Sequence, residues 1–125
     1  MPELGPIRAV SLDVGGVFVV PDHRRLRAAL VGAGVAEPSS DRLWDAHYLA
    51  MHAIDAAGSP AETFDDYVPA FVHHLGLDAD DGARGVEALT PLFGPSGLWV
   101  EPIAESISDL RTVAASGVPL VVVSN

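Results

Sequence analysis

Two short apolar runs at opposite ends of the chain constrain the fold most: residues 7–14 (Ile-Arg-Ala-Val-Ser-Leu-Asp-Val) and 118–123 (Val-Pro-Leu-Val-Val-Val). The first is rich in branched residues and ends at Gly15-Gly16, so it reads as a strand buried on both faces. The second is a continuous apolar strand entered from a helix stop at Ser116-Gly117. A second short extended piece, 17–20, follows the glycines and closes at Pro21-Asp22.

Between the runs the period becomes helical. Residues 23–30 form a short amphipathic helix stopped by Gly32 and Gly34. A second helix spans about 41–57, where Leu43, Trp44, His47, Tyr48, Met51 and Ile54 recur at three- and four-residue spacing. Ser59-Pro60-Ala61-Glu62 supplies an N-cap, a first-turn Pro and a Glu, and opens a third helix with the stripe Phe64, Tyr67, Val68, Phe71, Val72 and Leu75. A fourth is expected over 80–92 after the acidic residues Asp78, Asp80 and Asp81. After a linker rich in Pro and Gly, Glu101-Pro102 is expected to open a helix carrying Ile103, Ile107, Leu110 and Ala114 on one face. The fold expected is therefore α/β: an incomplete Rossmann-like parallel sheet formed by residues 1–20 and 97–125, interrupted by a helical-bundle cap over 21–96.

Charge narrows the partners. The 125 residues carry 7 basic side chains, all Arg, against 17 acidic ones, for a net charge of -10. Such a balance repels nucleic acid and anionic membranes, and no Lys is present to form a Schiff base or clamp a phosphate. The one Arg cluster, Arg24, Arg25 and Arg27, suits a solvated helix face. No apolar run approaches the roughly 20 residues of a membrane helix, and the N-terminal residues lack the pattern of a secretory signal. Without Cys there is no redox argument, and a cytoplasmic location is the default expectation.

Chemistry concentrates where the two strand runs end. In an open parallel sheet ligands bind beyond the carboxyl ends of the strands, and both Asp13-Val14-Gly15-Gly16 and Ser124-Asn125 fall there. A carboxylate able to attack an electrophile, glycines whose N-H groups approach an anion, and a hydroxyl on the neighbouring strand suit phosphoryl transfer through an aspartyl-phosphate. Other constellations are weaker. Gly32-Ala33-Gly34 follows a helix and lacks a third Gly, His47 and His52 lie on different helix faces, and His73-His74 are adjacent. Asp65-Asp66 and Asp80-Asp81 read as helix-start charge, and His47 as a half-buried packing residue.

On these residues the chain resembles the haloacid dehalogenase-like hydrolase superfamily. The match to that family's first motif is Asp13-Val14-Gly15-Gly16-Val17, and to its second the apolar strand ending in Ser124-Asn125. The resemblance implies that Asp13 is the nucleophile and a Mg²⁺ ligand, that the Gly15 carbonyl is a second ligand, and that Val14, Gly15, Gly16, Ser124 and Asn125 bind the phosphate of a small phosphoester. Two departures qualify it. Gly15 stands where the family's phosphatases carry an acid-base Asp, a contribution on the order of 10² to 10⁴ in rate. The family's third motif, a Lys or Arg, and its fourth, an acidic pair, would follow the second motif, where this sequence stops. The chain alone is therefore expected to bind Mg²⁺ weakly and to turn over little. Two alternatives stand beside the phosphatase: a dehalogenase, which uses an Asp nucleophile on carbon without metal, and a noncatalytic fragment that self-associates or pairs with a missing C-terminal half through an exposed strand edge.

Overall fold

The computed structural model describes residues 5–58, 66–94 and 97–123. The fold is mixed α/β, with five α-helices among the described residues and two small two-stranded sheets. The chain forms two compact units, Met1–Pro21 with Trp99–Asn125, and Asp22–Leu98. The second is thus inserted in sequence into the first.

The α/β unit contains β1 (Val10–Leu12), β2 (Val19–Pro21), β3 (Trp99–Pro102), α5 (Ala104–Ala115) and β4 (Leu120–Val122). β1 and β4 pair in parallel, with Val10 opposite Leu120, Ser11 opposite Val121 and Leu12 opposite Val122. β2 pairs antiparallel with β3. That last strand corrects the sequence reading, which assigned Glu101-Pro102 to a helix start. The pair ends a strand instead, because the backbone from Trp99 to Pro102 bonds to β2, and the Ile103 N-H is held by the Phe18 carbonyl at 2.8 Å. The helix begins only at Ala104, with Ile103 at its N-cap.

Val20 and Pro21 of β2 are fully buried, but burial of the parallel pair is slight. Ser11 is exposed, Val10 and Leu12 are half-buried, and Val121, Val122 and Val123 remain 52%, 63% and 56% exposed. The expectation of a first strand buried on both faces is therefore not met among the described residues: a sheet of two strands has too little covering it. Nor is the stripe on α5 a core, since Ile107 and Leu110 are half-buried and Ala114 is exposed, with only the preceding Ile103 buried.

The helical unit is better packed. α1 (His23–Gly32) is capped by Asp22, whose carboxylate accepts from the Arg24 and Arg25 N-H groups at 3.0 and 3.2 Å. Ser39 caps α2 (Ser40–Ala57), and Gly58 closes it in the left-handed conformation, φ 67°. α3 (Tyr67–His74) accommodates Pro69 because a first-turn N-H has no intrahelical acceptor. The residues of the Ser59 to Glu62 capping box, and Phe64 and Asp65, lie outside those described. α4 (Ala79–Leu89) is capped by Asp78 through the Asp81 N-H. It stops three residues short of the expected end, since Pro91 has no N-H to continue the ladder and a 3₁₀ turn, Thr90–Phe93, takes over.

The core of this unit is drawn from all four helices: Leu26 and Leu30, Leu43, Ala46 and Ala50, Tyr67, Val68, Phe71 and Val72, and Leu89. Gly85 lets α4 come close to its neighbours. A Cβ there would meet Val72 Cγ1 at 3.3 Å and Leu30 Cδ2 at 3.4 Å. Among the described residues no helix is long and apolar enough to cross a membrane.

Candidate functional site

Asp13 follows β1 directly, at its carboxyl end. The parallel ladder continues one residue past β4, where the Val123 N-H donates to the Leu12 carbonyl at 2.8 Å. The carboxyl ends of the two strands therefore lie side by side, with Asp13 leaving one and Val123 the other. Ser124 and Asn125, expected to line the same end, lie outside the described residues.

The turn after Asp13 is tightly organised. The Val14 carbonyl accepts from Phe18 at 2.9 Å and from Val17 and Val19 at 3.3 Å, and the Gly16 N-H donates to Val19 at 2.8 Å. Gly16 has φ 74°, in the left-handed region that a side chain rarely adopts, so glycine chemistry makes this turn possible. Asp13 is exposed, and its Oδ1 accepts from the Val14 N-H at 2.7 Å. An anion approaching that N-H competes with the protein's own carboxylate, and one approaching Gly16 competes with the turn. Among the described residues no hydrogen bond engages Gly15, whose N-H and carbonyl are open to a ligand.

For a divalent cation the loop supplies the Asp13 carboxylate and the Gly15 carbonyl. No group of three or more His, Cys, Asp or Glu able to hold a metal occurs among the described residues. Mg²⁺ asks for oxygen ligands and readily keeps several waters, and both of these groups are oxygen donors.

The other sequence candidates sit at helix ends and on helix faces. Asp66 is the N-cap residue of α3, and Asp80 and Asp81 sit in the first turn of α4, Asp81 paired with Arg84. Within the Arg cluster, Arg24 is exposed, whereas Arg27 bonds Ser40 Oγ at 3.0 Å and approaches Glu37 at 3.7 Å. Gly32-Ala33-Gly34 terminates α1, with the Ala33 N-H on the Ala29 and Leu30 carbonyls and Gly34 at φ 81°. The His73 and His74 rings contact each other edge to face.

Sequence reasoning underestimated a polar cluster inside the helical unit. His47 is 1% exposed rather than half-buried, and its Nδ1 lies 2.8 Å from the Tyr67 hydroxyl. His23, 4% exposed, stacks edge-on against Trp44, with ring centroids 4.6 Å apart. Burial raises the Tyr67 phenol, which stays neutral. The hydroxyl donates to a bare Nδ1 of His47 in one ring tautomer and accepts from a protonated Nδ1 in the other. Burial, and secondarily the nearby His23, lowers His47 to about 4. The signal in the sequence was the place of His47 on the apolar stripe, opposite a Tyr on the next helix.

No protein-family model matches the chain, and neither a curated protein nor a solved structure does.

Proposed function

We propose that this chain carries the nucleophile half of a haloacid dehalogenase-like hydrolase, with Asp13 attacking the phosphorus of a small phosphoester. On this reading the α/β unit is part of a Rossmann-like parallel sheet and the helical unit is its cap. The observation that carries the proposal is the parallel pairing of β1 with β4, which sets Asp13 at the carboxyl end of paired strands, the position ligands take in open parallel sheets. The insertion of the helical unit between the two segments of the α/β unit supports the cap.

In the proposed step an Asp13 oxygen forms a bond to phosphorus while the bond to the leaving oxygen breaks, and the leaving group departs with the electron pair. The Asp13 contact with the Val14 N-H steadies one carboxylate oxygen and leaves the other for attack. The Gly15 N-H donates to a phosphoryl oxygen. Asp13 and the Gly15 carbonyl would hold Mg²⁺, which when bound would offset charge between carboxylate and phosphate. Because Gly15 has no side chain, nothing at that position protonates the leaving group, so activated esters and acyl phosphates are the substrates that react.

Beryllium trifluoride tests the site without requiring turnover. With Mg²⁺ and beryllium fluoride present, ¹⁹F NMR is expected to show a bound resonance that disappears in Asp13→Asn. A bound resonance unchanged in that variant, or none at millimolar Mg²⁺, refutes the assignment.

The exposure of Val121, Val122 and Val123 supports a second, noncatalytic reading, in which the strand edge accepts a further β-segment from a second copy of the chain. Size-exclusion elution that moves to larger size as the chain is concentrated supports it. A monomer at all concentrations excludes it.

A further inference from the structure

What becomes of a phosphoryl group on Asp13 depends on protons. Water that attacks an aspartyl-phosphate must give up a proton, and a side chain placed to take it contributes on the order of 10² to 10⁴ in rate. The elements that carry Asp13 hold no such side chain. Residues 14–20, the turn and strand that follow it, read Val-Gly-Gly-Val-Phe-Val-Val, and residues 118–123, which supply the neighbouring strand, read Val-Pro-Leu-Val-Val-Val. Position 15 is open space, since a Cβ there would meet nothing within 4 Å, and backbone bonds of Val14 and Gly16 close the turn. The first ionisable side chain along the β2–β3 pairing is Glu101, opposite Val20. Asp13 is exposed, so solvent access does not limit hydrolysis; the proton does.

A nucleophile that is already anionic meets no such requirement. A carboxylate attacks phosphorus with a lone pair and loses no proton, and Asp13 departs as a carboxylate, so neither half of the exchange calls on an acid or a base. The Gly15 N-H, engaged by no hydrogen bond among the described residues, donates to a phosphoryl oxygen in both directions. The net charge of -10 opposes approaching anions in proportion to their charge, which favours a small monocarboxylate over a polyanion.

We propose that Asp13 keeps its phosphoryl group as a persistent acyl phosphate and passes it to a small monocarboxylate in preference to water, so that the chain exchanges phosphoryl groups between carboxylates. The inference rests on the reading of Asp13 as the nucleophile. In loading, an Asp13 oxygen bonds to phosphorus while the donor's oxygen–phosphorus bond breaks, and the donor leaves as a carboxylate with the electron pair. Unloading is the same step in reverse, with an acceptor carboxylate bonding to phosphorus and Asp13 leaving. Atoms and charge balance with no co-reactant beyond donor and acceptor.

The test loads the full chain with acetyl phosphate and Mg²⁺, removes the donor by rapid desalting, and divides the chain between sodium acetate and sodium chloride at equal ionic strength. Intact mass follows the phosphorylated fraction, and a phosphate assay follows transfer to water. The mass of one phosphoryl group is expected on the wild-type chain and not on Asp13→Asn. It is expected to persist in chloride and to be discharged at least about 10² faster in acetate, with acetyl phosphate as the product. Phosphate released during loading with no phosphorylated chain accumulating, or discharge at equal rates in the two salts, overturns the proposal and leaves Asp13 as the nucleophile of a hydrolase. A short lifetime in chloride that lengthens in Glu101→Gln overturns it too, by making Glu101 the base. Neither a phosphorylated chain nor released phosphate overturns both the proposal and the reading on which it rests.

Discussion

The Val123 N-H donates to the Leu12 carbonyl at 2.8 Å, so the parallel ladder between β1 and β4 extends to the residue before Asp13. This bond closes the end of the sheet that carries the candidate nucleophile. In a parallel ladder successive residues turn their N-H groups to opposite sides, so the Val122 N-H points away from β1. Val123→Pro is therefore expected to cost about 1 kcal/mol in urea unfolding, and to speed amide exchange around Leu12. Val122→Pro, which removes no bond to β1, is expected to cost less. Equal costs would show that the ladder does not reach Asp13.

The two glycines after Asp13 differ in what they tolerate. Gly16 sits at φ 74°, and a Cβ there meets nothing within 4 Å, so Gly16→Ala tests backbone conformation alone and is expected to destabilise by roughly 1 kcal/mol. Gly15 lies outside the left-handed region and is equally open. Gly15→Ala is expected to be near neutral, both variants being read by urea unfolding.

That open space permits a gain-of-function experiment. Gly15→Asp introduces a carboxyl two residues after Asp13, with room for its Cβ. It is expected to widen reactivity from activated aryl phosphates toward alkyl phosphates, by up to about 10² relative to the parent chain. Turnover is followed by phosphate release in Mg²⁺. No change in the aryl-to-alkyl ratio would show that a carboxyl at position 15 does not reach the leaving group.

Packing in the helical unit gives the largest expected stability effects. Phe71 is fully buried, and Phe71→Ala is expected to cost about 3–5 kcal/mol, lowering the thermal midpoint read by circular dichroism. Gly85 shows the opposite constraint. A methyl there already presses on Val72 and Leu30, so Gly85→Leu is expected to force α4 away from α1 and α3, at a cost of roughly 1–3 kcal/mol or more.

Legibility from sequence followed local periodicity and failed where pairing decided the outcome. The stripe positions Leu43 and His47, the acidic start at Asp78 and the glycine stop after α1 are local signals, and the helices form where these stand, although Tyr48 of the same stripe is exposed and Ala46 and Ala50 are buried in its place. β3 was hidden because Glu101-Pro102 imitates a helix start, and only the bond partners in β2 make it a strand. Burial was overestimated at Val10, Leu12 and the valines of β4, since apolar composition states what a strand is fit to bury and not what is there to cover it. At the candidate site, residue types and strand ends were readable, whereas the capture of the Val14 N-H by Asp13 and of the Gly16 N-H by Val19 depends on turn geometry that no spacing rule encodes.

Chemical trapping of the acyl phosphate tests the nucleophilic role of Asp13 most directly. The full chain is incubated with acetyl phosphate and Mg²⁺, reduced with borohydride, which converts an aspartyl-phosphate to homoserine, and digested for mass spectrometry. The account predicts homoserine at position 13 and at no other aspartate, dependent on acetyl phosphate and suppressed by inorganic phosphate. An unmodified Asp13, or homoserine spread over exposed aspartates such as Asp41 and Asp80, would contradict it.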